Sequence, residues 1–596
     1  MSDAKPVLIW DGRCGFCKIW IDYWRQLTGE RIEYKTSQEA GADYPQIDPR
    51  EFSRAVQLVR PDGSVASGAR AVFESLGMLR TYQSSRIFSG IFEAAYRFVA
   101  ARRDLFYQIT KYTFGRTIEP ARFFATQWIF LRVLAVVYAV AFASLATQVA
   151  GLIGTRGILP AGAYYEVLAK GLGTSRFWIA PSLFWFGNWF GEGDRILISF
   201  CWGGVAFAAL LFFGRLEKLM LALLFLMYLS LCSAGQDFLG FQWDALLLEA
   251  GFLAIFLGRA RIVAWLFRWM AFRLYFLSGA VKLLSRDPTW RNGTALDFHY
   301  HTQPLPTIFA WYMDKLPDWF QRWSTYVVIG VELIVPFLVF LPRKIRHFAA
   351  WWMIGLQVLI LITGNYTFFN ILAIALCLFL FDDQYLRRFT PARLREKWSR
   401  MSVEIPANTR AVTAVLTALI LLTGIGRLWE TFTGGAPEPL RTLVMVTSPF
   451  QIVNSYGLFA VMTTTRPEII MQGSDDGESW KTYEFRYKPG DLHRAPKWVA
   501  PFQPRLDWQM WFAALGNFRD RQNQWFIRFV GRLLEGSPEV AGLMKTNPFA
   551  DHPPRYVRAV VFDYTFSTMA ELRADGVWWD RKPLGMYLPP VGFKRK

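Results

Sequence analysis

Cysteine is scarce: five residues in 596, with one close pair, Cys14 and Cys17, and none after Cys377. A disulfide framework is therefore excluded for the C-terminal part. Histidine is as rare, five in all, which leaves little material for histidine-based metal sites. No charged stretch leading into an apolar run precedes the first strand pattern, so no cleavable signal peptide is expected and the N-terminus is predicted to stay in the cytoplasm. Acidic residues are outnumbered, 47 against 66 Lys and Arg, for a formal charge of +19. The basic residues sit largely in short loops between apolar runs, the distribution of a membrane protein rather than of a nucleic-acid binder.

Apolar and aromatic side chains are abundant. The chain is 53% hydrophobic and 17% aromatic, with 26 Trp and 52 Phe, which predicts a polytopic membrane protein carrying soluble pieces. Val7 to Trp10 reads as a strand, and Asp11-Gly12-Arg13-Cys14-Gly15-Phe16-Cys17 leads into Ile19, Trp20, Tyr23, Trp24 and Leu27 at helical spacing. Strand, CxxC, helix is the context of a thioredoxin-like redox pair. A Cys at a helix N-terminus feels the positive end of the dipole, and a second Cys three residues on can resolve a mixed disulfide. The rivals are a structural zinc half-site, which lacks a second pair of ligands here, and an inert remnant of the motif.

Ile32 to Lys35 and Val56 to Val59 read as further strands, the latter entering the Pro61-Asp62-Gly63-Ser64 turn, and Gly68 to Phe73 opens a helix. Asp11, Cys14 and Cys17 with the SGARAVFESL helix entry resemble the DCC family of small thiol-disulfide oxidoreductase-like domains, over roughly residues 5 to 115. The resemblance implies a redox role with Cys14, Cys17 and Asp11 as its catalytic residues.

From Gln127 onward about nine runs approach the ~20 apolar residues a bilayer needs: 128–149, 196–213, 218–234, 241–258, 262–284, 324–341, 347–363, 366–381 and 411–428. Basic loops at 214–218, 258–261, 342–347 and 382–410 alternate with loops at 235–240 and 364–365 that hold no Lys or Arg. That alternation predicts a cytoplasmic N-terminus and an extracytoplasmic C-terminal domain. The stretch 177–190, rich in Trp and Pro, is expected in the outer interface.

Phe241 to Pro306 places Asp244, Glu249, Arg268, Arg273 and Lys282 inside two of these apolar runs. Charges in hydrocarbon are expensive, so they are expected to be paired and to face the bundle. Depth places Asp244 and Lys282 near the outer surface, and Glu249, Arg273 and Glu332 nearer mid-depth. The natural pairs are Asp244 with Lys282, and Arg273 with Glu249 or Glu332. Arg273 and Lys282 lie about 180° apart around one helix, so one of them is predicted to reach a third helix, with Glu332 as first partner. These charges read either as pins that fix helix register or as a substrate or proton site. The outer loop 285–322 contains Asp297-Phe298-His299-Tyr300-His301; as a strand it would put both histidines on one face. The favoured reading is a packed, client-facing aromatic loop with Trp290, His299, Tyr300 and His301, and no metal or cofactor is assigned.

After the last span, Tyr483 to Tyr487 and 556–566 read as strands, 473–480 as a turn-rich connection, and about 508–545 as helical. The runs GFQWDALLLEAGFLAIF, LYFLSGAVKLLSRDPTW and TALDFHYHTQPLPTIFAWY, with Tyr456 to Phe459, the block from Arg466 to Lys488, Pro504 to Trp511 and Pro553 to Tyr556, are similar to the lipase maturation factor family. His301 departs from the family pattern, which has Glu at that place.

The expected architecture is multi-domain. A thioredoxin-like α/β domain (1–117) precedes a polytopic α-helical membrane bundle of about nine spans (118–430), and a C-terminal strand-rich, sandwich-like α+β domain (431–596) follows. The resemblance implies a membrane-bound, chaperone-like factor that assists folding and assembly of secreted lipases, in the endoplasmic reticulum for eukaryotic relatives and in a bacterial inner membrane here. Membrane lipid and secreted client proteins are the expected partners. The alternatives are a membrane oxidoreductase that relays thiol redox equivalents, or an embedded enzyme using Lys282.

Overall fold

A computed structural model describes residues 5–115, 118–187, 189, 194–258, 261–399 and 407–593. The chain divides into two compact units, Met1–Arg122 with Phe340–Phe348, and Phe123–Val339 with Ala349–Lys596. Parts of the basic loops, at 259–260 and 400–406, and residues 188 and 190 of the expected interfacial stretch lie outside the described residues.

In the first unit, β1 (Val7–Trp10) is buried throughout and is followed by α1 (Gly15–Thr28). Then come β2 (Glu33–Thr36), β3 (Gln57–Val59), β4 (Val65–Ser67), α2 (Gly68–Ser75), α3 (Arg86–Ala100) and α4 (Arg103–Thr113). β1 pairs parallel with β2 and antiparallel with β3, and β3 pairs antiparallel with β4, giving the order β2-β1-β3-β4. Alternate residues of the strands point to opposite faces; Leu8, Trp10, Leu58 and Ala66 face one core with Ile21 of α1 and Ala71 of α2.

The second unit opens on α5 (Phe124–Ala146), α6 (Arg195–Phe212) and α7 (Glu217–Gly235). α8 (Gln242–Ile255), α9 (Arg261–Leu284) and the short α10 (Ala295–Thr302) follow. α11 (Asp318–Leu333), α12 (Arg343–Thr363), α13 (Phe369–Cys377) and α14 (Ala407–Thr433) complete the helical region. The Asp383 carboxylate accepts from the amides of Phe124 and Ala125 at 2.9 and 2.8 Å, capping the orphan donors where α5 starts.

Among the described residues six helices are long and apolar enough to cross a membrane, or seven if a bent pair at Phe369–Leu380 and Asp383–Phe389 is one span. This corrects the expected nine. α8 has only 14 residues, about 21 Å at a rise of 1.5 Å per residue, short of the ~30 Å hydrocarbon core. α9 carries Arg261, Arg268, Arg273 and Lys282. Both helices lie mostly buried among the others, so their apolar character serves the protein interior rather than lipid. At Gly251 of α8 an added Cβ would fall 1.9 Å from the Tyr138 hydroxyl of α5, so only glycine permits that approach.

The C-terminal part contains β5 (Pro467–Ser474), β6 (Lys481–Tyr483), α15 (Arg505–Ala514), α16 (Gln524–Leu534), β7 (Tyr556–Phe566) and β8 (Trp579–Val591). Among the described residues its strands form one antiparallel sheet, β6-β5-β7-β8, rather than a two-sheet sandwich. Helices cover what a second sheet would have covered: Met471 of β5 and Trp508, Met510 and Trp511 of α15 are all buried. The expected connection at 473–480 is the β5–β6 turn, where the Asp476 carboxylate is taken up by the amides of Glu478 and Ser479 at 2.8 and 2.7 Å.

Candidate functional site

The expected outer loop is helical and roofed over. α10 places His299 and His301 on opposite sides, since two residues are about 200° apart on a helix, so the strand-like pairing of two histidines does not form. His301 Nδ1 lies 3.0 Å from Asp314. Trp290 and Tyr300, expected to face a client, are 3% and 6% exposed. Trp290 Nε1 donates to the Phe459 carbonyl at 2.9 Å, and Tyr300 packs with Leu296, Trp311, Tyr564, Phe566 and Trp579 in a cluster shared by loop helices and the C-terminal sheet. Among the described residues no group of three or more His, Cys, Asp and Glu side chains is placed to hold a metal ion.

Desolvation, with the Lys282 ammonium and His301 nearby, lowers the His299 pKa from 6.5 to about 4. Between those values the unfolded chain binds a proton that the folded chain refuses. The stability from this site is therefore fully present above pH 6.5 and is lost as pH falls toward 4. His299→Gln should flatten the acid limb of the melting temperature against pH; a limb identical to that of the parent chain contradicts the assignment.

Asp244, Glu249, Arg273 and Lys282 lie in three buried assemblies. In the first, the Arg505 guanidinium of α15 forks onto Asp244 of α8, Nη1 to Oδ2 at 3.0 Å and Nη2 to Oδ1 at 2.8 Å. The Tyr228 hydroxyl of α7 donates to the same carboxylate at 2.5 Å, and Arg505 Nη1 also donates to the Phe238 carbonyl at 2.6 Å. Asp244 is thus paired with the C-terminal domain and not with Lys282. A planar five-donor fork fits this arrangement where a lysine would not.

In the second, Arg273 of α9 pairs with Glu249 of α8, both buried. The other Glu249 oxygen accepts from the Asn454 amide at 2.8 Å and the Tyr456 hydroxyl at 2.7 Å, and Arg273 Nη1 donates to the Asn454 carbonyl at 2.9 Å. The segment that leads into the C-terminal sheet is thereby threaded onto the charged pair. In the third, Lys282 Nζ donates to Glu332 of α11 at 2.7 Å and to the Ser278 carbonyl at 3.2 Å, and lies 5.1 Å from the Trp290 ring centre. The phase of α9 separates the two cations as expected: Arg273 meets α8 and Lys282 meets α11. Lys282 is engaged as an ammonium donor, which removes the geometric ground for a free amine acting as a base.

Three contacts absent from the sequence reading complete the junction. Arg466, just before β5, donates to the carbonyls of His301, Gln303 and Pro304, with His301 at 2.7 Å and Pro304 at 2.8 Å, and pairs with Glu468 at 2.7 Å. Asn365, in the turn after α12, donates to the Lys497 carbonyl at 2.7 Å and accepts from the amides of Val499 and Ala500 at 2.6 and 2.9 Å. Gln148, just past α5, donates to the Gln503 carbonyl at 2.8 Å and accepts from the Arg505 amide at 2.9 Å. Main-chain acceptors carry no sequence signal.

In the N-terminal unit Cys14 and Cys17 are joined as a disulfide, with Cα atoms 5.2 Å apart. Cys14 caps α1, its Sγ accepting from the Cys17 amide at 3.1 Å. Asp11 accepts from the Arg13 amide at 3.1 Å and lies 3.9 Å from Arg103. Cys201, Cys232 and Cys377 are buried and free.

Comparison with known proteins places the junction in a family. The lipase maturation factor transmembrane domain matches residues 125–388, and the lipase maturation factor C-terminal domain matches residues 452–589. Lipase maturation factor 2 of Gallus gallus is 36% identical, with 79% of this chain and 82% of the relative covered. Lipase maturation factor 1 of Bos taurus is 34% identical over 80% of this chain and 92% of its own length, and lipase maturation factor 2 of Homo sapiens is 34% identical over 78% and 82%. No solved structure matches. Both matched domains contribute to the buried junction, Asp244, Glu249 and Arg273 from one and Asn454, Arg466 and Arg505 from the other, and the chain belongs to the lipase maturation factor family.

Proposed function

We propose that the protein is a membrane-embedded factor that assists folding and assembly of secreted lipases. The observation that carries this reading is its similarity to lipase maturation factors over about four-fifths of its length, through both matched domains. The C-terminal sheet is the part that meets the client. Its edge strand β8 exposes Leu584 and Met586 at 57% and 51%, apolar side chains of the kind that hold partly folded chains. Pro583, Pro589 and Pro590 on the same strand remove backbone donors that could otherwise template aggregation. With the bent pair counted as a seventh span, the loop charges support a cytoplasmic N-terminus and an extracytoplasmic C-terminal domain, and we assign the chain to a bacterial inner membrane.

A second activity, thiol-disulfide exchange in the N-terminal unit, is supported by the CxxC pair at the start of α1 directly after β1, and by a sheet with one parallel and two antiparallel pairings. One assay tests both readings: the yield of active enzyme from a co-expressed secreted lipase. Deleting the chain should abolish most of that yield, and an unchanged yield overturns the maturation reading. The Cys14→Ser, Cys17→Ser variant should lower the yield of a disulfide-containing lipase, and full yield removes the redox reading alone.

A further inference from the structure

Helices α3 and α4 of the N-terminal unit are built the wrong way round for a water-facing surface. A surface helix of a soluble domain turns charged residues outward. α3 faces inward with Phe88 and Phe92, packed on Phe73, and with Tyr96, whose hydroxyl accepts from the Val56 amide at 3.0 Å. Its outward side carries Ile87, Ile91, Ala94 and Phe98, spaced at i, i+4, i+7 and i+11, with Ile87, Ile91 and Phe98 at 76%, 61% and 53% exposed. No residue of α3 is fully buried. α4 repeats the pattern with Leu105, Ile109 and Tyr112, at 55%, 43% and 77%. The two stripes are neighbours, since Phe98 and Phe106 meet at 6.0 Å between ring centres.

Basic residues flank the apolar stripes. From Arg86 to Thr113 there are five Lys and Arg against Glu93 and Asp104, and Glu93 turns inward to accept from the Tyr82 hydroxyl at 2.8 Å. Arg86, Arg97 and Arg102 are exposed, and the Arg102 guanidinium lies 4.2 Å from the Phe98 ring centre, an arrangement in which an apolar stem can lie in lipid while the charge reaches the headgroups. Position along the chain supplies an independent argument. α4 ends at Thr113 and α5, a span by length and composition, starts at Phe124, so at most about 35–40 Å of chain separates them. Within the same unit Lys344, in the first turn of the spanning helix α12, lies 5.9 Å from the Tyr112 ring centre and donates to the Lys111 carbonyl at 3.4 Å. The first turn of α12 and the end of α4 thus share one compact unit.

We infer that the outward faces of α3 and α4 form a membrane-surface binding site whose ligand is a bilayer containing anionic phospholipid. Ile87, Ile91, Phe98, Leu105, Ile109 and Tyr112 enter the boundary between headgroups and acyl chains, about 5–10 Å deep, and Arg86, Arg97 and Arg102 meet the phosphates. The tether alone would leave the domain free to rotate; this face fixes which side of it looks at the membrane. The inference is independent of the maturation and redox readings.

The test uses the full-length chain, with Cys14 and Cys17 left oxidised, in vesicles of phosphatidylcholine and phosphatidylglycerol brominated on their acyl chains. A bimane label is placed at Ile91→Cys or Tyr112→Cys, with Glu30→Cys, whose parent side chain is 98% exposed, as reference. Quenching at 91 and 112 should exceed that at 30 by about threefold or more, as insertion to that depth requires. It should fall in vesicles of phosphatidylcholine alone and in the Arg86→Glu, Arg97→Glu, Arg102→Glu variant. Quenching at 91 and 112 equal to that at 30 overturns the inference. So does a label shielded from both bromolipid and aqueous iodide, which would mean that protein, a second copy or a client, covers the face. Quenching indifferent to lipid charge overturns the anionic specificity. These positions are exposed, and unchanged melting of each labelled chain confirms that the fold is intact.

Discussion

Replacing Arg505 with alanine is expected to destabilise the folded chain by about 3–5 kcal/mol, because it leaves a buried carboxylate without its counter-charge. Asp244 and Arg505 are 0% and 1% exposed, so the carboxylate would lose two charge-assisted hydrogen bonds in a site out of contact with bulk solvent. The Tyr228 hydroxyl would remain, one neutral donor against a full negative charge. Loss of the guanidinium also frees the Phe238 carbonyl, and a buried acceptor left unmade adds about 1–3 kcal/mol. Melting in detergent should fall well below that of the parent chain, and added protease should release the C-terminal domain at concentrations that leave the parent intact. A melting temperature within a degree or two of the parent would mean that the pair is dispensable.

Glu249→Gln carries the second large effect, again about 3–5 kcal/mol, but with a different signature. Glutamine can still accept from the Asn454 amide and the Tyr456 hydroxyl, so the connecting segment keeps its local hydrogen bonds. What is lost is the charge facing Arg273, which is itself 0% exposed. The uncompensated guanidinium then pulls on the Asn454 carbonyl alone. Cleavage by added protease should concentrate between residues 434 and 466, ahead of global unfolding. Lys282→Ala makes the control, because its partner Glu332 lies within the helical region. It should lower overall melting without selective cleavage in that segment. Equal cleavage in both variants would show that Glu249 has no special hold on the connection.

Much of this junction could be read from residue order, and the part that could not has identifiable causes. Charges inside apolar runs at 244, 249, 273 and 282 announced a buried polar site, and the helical phase between Arg273 and Lys282 required that one of them reach a third helix at Glu332; it left open which, and the structure gives Lys282. The partner of Asp244 escaped because Arg505 is 261 residues away and belongs to a domain read as separate. No pairing rule based on neighbouring helices reaches it. The three carbonyls that hold Arg466 were invisible for another reason, since main-chain acceptors are the same in every sequence. The excess of spans came from α8 and α9, whose apolar residues match a membrane helix although most of them are buried against protein. β8 was missed because Lys582, Pro583 and two further prolines break the alternating pattern of a strand, which an edge strand tolerates. Three of the four N-terminal strands, short and uninterrupted, were legible within a residue or two, whereas the three-residue β4 after the Pro61–Ser64 turn was not read.

Two of the three assemblies, Asp244 with Arg505 and Glu249 with Arg273 and Asn454, link the two matched domains, and we propose that joining them, rather than a proton path or an embedded catalytic site, is their role. The Asp244→Asn, Arg505→Gln double variant tests this most directly, because both replacements keep hydrogen-bonding groups while removing the charges. It should melt closer to the parent than either single variant, with a coupling of about 2 kcal/mol or more, and should restore the yield of active co-expressed lipase in proportion to its recovered stability. A double variant that folds as well as the parent yet gives no active lipase would contradict the structural role and return these charges to the chemistry of maturation itself.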